Sequence, residues 1–254
     1  MSVFSAFFGG FADLVERFAD VLHPIFQSSA AAAAIILFTM AVRLAVHPLS
    51  RAAARGQRAQ RRIAPQVAEL RKKHAKSPER MQKALMELHA KEKVSPFAGC
   101  LPSLLQLPAF FLMYHLFSSS SIGGEPNTLL GHQLGGAPLG GRFHDALADG
   151  GLFGAAGLVY LALFALVAAV ATFNYVRTKR QMAAAPAQPE GTPQMPGMGA
   201  MMKFMPLMSF MTLFTVGVVP LAAALYVVTS TTWSAAERFF LYRDMVPGTL
   251  ATAM

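Results

Sequence analysis

Apolar residues recur at helical spacing from the start of the chain. Phe4, Phe7, Phe8, Phe11, Leu14, Val15, Phe18 and Leu22 share one face, with Asp13, Glu16, Arg17 and Asp20 mostly elsewhere. The pattern predicts a helix over 3–22, ended by His23 and Pro24, that lies in a membrane interface or against the protein's own surface. Beyond it come five apolar stretches, at about 28–49, 96–117, 152–176, 201–217 and 220–241, each read as a membrane span. The run from Phe204 to Ala236 is too long for one span, so Gly217 and Pro220 mark a tight hairpin. The fourth span is short.

Between the first two spans the period changes. Ile63, Val67 and Leu70 share one helical face, and Met81, Leu85 and Leu88 share another. Ser77-Pro78-Glu79 between them reads as cap, first-turn proline and first-turn acid. Residues 51–93 are therefore expected to form an antiparallel helical hairpin. Residues 183–200, rich in Ala, Pro, Gly, Met and Gln, read as a flexible linker, and the Gly-rich 118–151 connection shows no chemistry.

Composition agrees with this pattern: 54% of residues are hydrophobic and 14% charged, against about 25% charged in soluble domains. Charge supplies the orientation. The 51–93 segment is strongly basic, with Arg58, Arg61, Arg62, Arg71, Lys72 and Lys73 as candidates for recruiting a partner. The 118–151 connection carries Arg142 against Glu125, Asp145 and Asp149, whereas Arg177, Lys179, Arg180 and Lys203 face only Glu190 in the next. By the positive-inside rule the N-terminus lies outside, the two basic connections are cytoplasmic and the C-terminus is inside. The basicity is thus topological and argues against specific nucleic-acid binding. No secretory signal is expected at the N-terminus, and Cys100, the sole cysteine, excludes an internal disulfide.

Catalysis finds no support in the residues. His47, His115, His132 and His144 are too scattered for a metal site, and isolated span serines such as Ser103, Ser209 and Ser230 read as helix-packing residues. No metal, cofactor or enzyme activity is expected. What remains is polarity within the spans. Arg43 lies in the first, where a cation costs roughly 2.5–3.5 kcal/mol at mid-bilayer, so it either faces a polar interior or snorkels to the headgroups. Gln106 lies between two prolines, Asn174 in the inner part of the third span, and Thr229, Ser230, Thr231, Thr232, Trp233 and Ser234 follow one another in the fifth. Together they would line a watery cavity. A small transporter or channel for anionic solutes is the alternative, although no internal repeat supports it.

Three segments resemble the YidC-type membrane protein insertase family in its short form, without a large periplasmic domain. V-R-L-A-V-H-P-L-S at 42–50 is similar to its arginine-bearing helix, and S-P-F-A-G-C-L-P-S-L-L-Q-L-P at 95–108 to its second-span signature. M-P-L-M at 205–208 with P-L-A-A-A-L-Y-V-V-T-S-T-T-W at 220–233 resembles its terminal hairpin, although Val227 and Thr231 stand where tryptophan and asparagine are usual. The resemblance implies an all-α polytopic fold: five helices of a 28–243 core around a hydrophilic groove open to the cytoplasm. It implies the extracytoplasmic interfacial helix within 1–27, the 51–93 hairpin, a flexible 177–200 loop and a short 244–254 tail. Arg43, Gln106, Asn174, Thr229, Ser230, Thr232 and Trp233 would line the groove. The implied function is insertion of nascent membrane proteins into the bacterial plasma membrane. The implied partners are those proteins and the bilayer, with the ribosome and Sec translocon as further candidates.

Overall fold

A computed structural model describes residues 3–74, 77–95, 101–122, 124–183 and 204–241. The chain divides into two units, the first drawn from 1–45, 107–174 and 208–236 and the second from 46–106, 175–207 and 237–254. Helix dominates both.

The first unit opens with α1 (Val3–Phe26), a 3-10 turn (Gln27–Ser29) and α2 (Ala30–Ala45). Gln27 takes the left-handed conformation (φ 48°), which reverses the chain and folds α1 onto α2. Val15 and Ala19 bury against the alanine-rich face of α2, and Phe11 meets Phe38 edge to face at 4.9 Å. α1 runs through Pro24 rather than stopping at residue 22. That proline falls in the last turn, where its missing N–H removes a single helical bond. Leu14, Val21 and Ile25 remain exposed on the far side.

The centre of this unit is the N-terminal half of α9 (Leu221–Leu241), whose residues 221–228 are all buried. Three successive alanines, 222–224, let neighbouring helices approach closely. Around them pack Met113, Leu116 and Phe117 of α5 (Leu101–Ser118), Tyr160, Leu163 and Val167 of α7 (Ala155–Ala183), and Val216 of α8 (Met211–Val218). α8 is preceded by a 3-10 turn, Met205–Phe210, and Val219 and Pro220 link it to α9.

The connection after α5 is more ordered than its glycines suggested. It holds two antiparallel two-residue ladders, β1 (Ser121–Ile122) with β2 (Glu125–Pro126) and β3 (Gln133–Leu134) with β4 (Ala137–Pro138), then α6 (Phe143–Ala148). Leu129, Leu139 and Ala146 anchor it in the core. Asn127 Nδ2 donates to the Leu116 and Ser119 carbonyls at 2.8 and 2.9 Å, closing the end of α5. The Leu221 and Ala222 amides donate to the Gly141 and Leu139 carbonyls, both at 2.8 Å, and the Tyr160 hydroxyl also donates to Gly141 at 2.8 Å. The connection therefore caps α9, satisfying amides that begin a helix without partners.

The second unit contains the expected hairpin, α3 (His47–Lys73) and α4 (Pro78–Lys91). Ile63 and Val94 are its buried anchors. Gln60 Nε2 donates to the Ser95 carbonyl at 3.2 Å and Arg62 pairs with Glu92 at 3.6 Å, so the far end of α4 returns to the middle of α3. Pro78 is the first helical residue, as anticipated, but the Ser77 side chain makes no cap bond. The first apolar helix stops at Ala45, four residues short of the expected 49, because the chain breaks at Val46 and Pro48 joins the first turn of α3. α7 continues to Ala183, so the loop expected from 177 begins as helix. The rest of that loop to 203, the segment 96–100 and the 244–254 tail lie outside the described residues.

Among the described residues two stretches are long and apolar enough to cross a membrane, 9–45 and 155–183; 206–218 is apolar but shorter.

Candidate functional site

Arg43 lies in the last turn of α2, one turn after Thr39. Thr39 is buried and donates its hydroxyl back to the Ile35 carbonyl at 2.6 Å, leaving no polar demand of its own. Arg43 is half-buried, and its Nε donates to Ser230 Oγ on α9 at 3.0 Å. Its Nη2 donates to the same oxygen. The Tyr226 phenol, one turn before Ser230, adjoins the pair. The guanidinium of α2 thus reaches a hydroxyl of α9. Ser230 is 5% exposed. The neutral Ser230 hydroxyl orients the cation by accepting two donors of the guanidinium.

The polar run on α9 sorts into distinct roles. Thr231 donates to the Val227 carbonyl at 2.8 Å and Ser234 to the Ser230 carbonyl at 2.9 Å, the usual fate of hydroxyls in an apolar helix. Ser230 accepts Arg43. Thr232 Oγ1 and Trp233 Nε1 are buried without any hydrogen-bond partner, as is Asn174 Oδ1 on α7. Each such atom costs about 1–3 kcal/mol when left bare, and Asn127 Oδ1 in the connection after α5 is a fourth in the same unit. Thr229 is half-buried beside them. The backbone of Gln106 lies in α5, but its side chain is outside the described residues.

In the second unit the hairpin bases spread along α3. Arg58 donates through Nη2 to the Leu241 carbonyl at 2.9 Å, and Arg62 holds Glu92. Arg61 is exposed, and Arg71, Lys72 and Lys73 form the exposed last turn, favourable at the negative end of the helix dipole. The hairpin bases thus stay near solvent.

Two participants escaped sequence reading. Tyr226 was not singled out in the sequence. Glu237 holds a cluster in the second unit: His47 donates through Nδ1 to its Oε1 at 2.6 Å, and Ser50 donates to its Oε2 at 3.1 Å. Its signal was an acid on a helix end where bases dominate. Among the described residues no group of three or more His, Cys, Asp or Glu gathers as a metal site.

Comparison with known proteins gives a consistent result. The family model described as 60Kd inner membrane protein matches residues 21–248. A membrane protein insertase YidC of Paraburkholderia phymatum is 39% identical over 102 residues, 40% of this chain and 18% of that protein. The YidC of Nitrosospira multiformis is 42% identical over 87 residues, covering 34% and 15%. That of Burkholderia mallei is 38% identical over 102 residues, covering 40% and 18%. The chain thus aligns with less than a fifth of the length of these relatives.

Proposed function

We propose an insertase function from the premise that this chain belongs to the 60Kd inner membrane protein family, and is a membrane protein. It receives the polar flanks of nascent membrane proteins in a groove open to the cytoplasm and releases their apolar segments into the bilayer. Five spans, around 28–49, 96–117, 152–176, 201–217 and 220–241, enclose the groove. α1 lies at the extracytoplasmic surface, the hairpin is cytoplasmic, and the C-terminus is inside.

The observation that carries this reading is the Arg43 guanidinium donating to the buried Ser230 hydroxyl of α9. Its field and donors accept an acidic or backbone group of the incoming flank. The bare atoms of Thr232, Trp233 and Asn174 offer further hydrogen bonds as the flank sheds water. Gln106 and Thr229 complete the lining. An inside-negative potential then assists an acidic flank by roughly 2.3 kcal/mol per charge per 100 mV. The short α8 thins the bilayer locally and shortens the flank's path. No covalent bond is made or broken. The basic hairpin, through Arg58, Arg61, Arg62, Arg71, Lys72 and Lys73, recruits the cargo or the machinery delivering it.

In vesicles, Arg43→Ala is expected to impair insertion of single-span cargo with acidic translocated tails, whereas Arg43→Lys largely retains it. Undiminished insertion of every cargo by the Ala variant sinks this role. For the orientation, Lys73→Cys in a Cys100→Ser background should be labelled by an impermeant reagent only from the cytoplasmic side; labelling from outside overturns it.

A further inference from the structure

The cluster of His47, Ser50 and Glu237 has no part in the mechanism above, yet its chemistry is specific. Two donors from the first turn of α3 converge on the two oxygens of one carboxylate. The Glu237 side chain is 12% exposed, but that of His47 is 35% exposed, so the donors are approachable where the carboxylate is not. Arg51, Arg55 and Arg58 follow His47 at helical spacing along α3, which makes its surroundings favourable to any carboxylate, resident or arriving. In the chain His47 comes four residues after Arg43.

We propose that His47 and Ser50 form a carboxylate-binding station for the acidic flank of the cargo, which Glu237 fills as a built-in stand-in until the cargo displaces it. This rests on the insertase reading of Arg43. Exchange of one carboxylate for another keeps both donors satisfied, and the loss of those donors by Glu237 favours its return when the acid leaves. A neutral flank cannot make the exchange, because displacing Glu237 would leave His47 and Ser50 with a weaker acceptor. The station therefore sorts cargo by flank charge.

The test uses the full chain in proteoliposomes and two single-span cargoes identical except for Asp/Glu or Asn/Gln in the flank. Glu237→Gln keeps the shape and removes the competitor; it should raise the ratio of acidic to neutral insertion by about threefold, the size of a partly exposed charged hydrogen bond. His47→Gln should lower that ratio by a similar factor. An unchanged ratio in both variants, or both cargoes falling together in Glu237→Gln, overturns the proposal and leaves a structural tie. Should Glu237→Gln fail to accumulate, His47→Gln with Ser50→Ala decides, and an unchanged ratio overturns it. Arg43→Ala is assayed in parallel: if it inserts both cargoes normally, the insertase reading of Arg43 fails, whereas Arg43-dependent insertion with an unaltered ratio sinks the station alone.

Discussion

The two halves of α9 obey opposite rules. From Leu221 to Val228 every residue is buried and apolar apart from the Tyr226 phenol, and the opening amides are matched by carbonyls of the 119–154 connection. From Thr229 onward burial loosens, hydroxyls crowd together, and two buried polar atoms go unmatched. One half is packed for stability. The other, on the proposed function, gives up stability for contact with cargo, a trade that recurs where function needs polar groups in an apolar setting. One helix thus carries a rigid anchor and an adaptable surface without a hinge between them.

Substitutions along the helix can break that comparison. Leu221→Ala, at a fully buried position, should cost about 2–5 kcal/mol, read as a lowered midpoint of thermal unfolding in detergent, with little change in cargo preference. An equal loss of stability from truncating the exposed Phe240 would erase the distinction. Ser230→Ala removes the acceptor of Arg43 and should cost about 1–3 kcal/mol, with insertion of acidic cargo falling alongside. Thr232→Val should move the other way: removing a bare buried hydroxyl raises stability by up to about 1 kcal/mol while insertion declines. A destabilised Thr232→Val would mean that the hydroxyl has a structural duty. The smallest effect belongs to Arg62→Ala, whose partner Glu92 lies 3.6 Å away near solvent; less than about 1 kcal/mol is expected in a urea or thermal titration.

The comparison also explains what sequence could reveal. The two helices α3 and α4 were legible because Ile63, Val67 and Leu70, and then Met81, Leu85 and Leu88, repeat at helical spacing and Pro78 marks a start. The α8–α9 break was legible from Gly217 and Pro220. The resemblance to YidC-type insertases matched the family that the comparisons found. What stayed hidden depended on partners distant in sequence. Nothing local says that the Tyr160 hydroxyl seeks Gly141 or that Glu237 waits for His47 and Ser50. Nor does composition reveal a fold in a Gly-rich connection whose order comes from Leu129 and Leu139 entering the core. Helix ends were misjudged at Leu49, because Pro48 opens the next helix rather than ending the last, and at Pro24, which α1 carries at the loss of one backbone bond.

The carbonyls of Leu139 and Gly141 have a practical consequence for anyone wishing to decorate this molecule. An epitope or fluorophore spliced at residues 139–141 would pull those oxygens from the amides of Leu221 and Ala222 and unseat the start of the last helix. A splice at Gly124, between β1 and β2, breaks no such bond and meets no neighbour within 4 Å, provided a glycine keeps the φ of +98° there. Two sites in one surface segment thus differ entirely in tolerance.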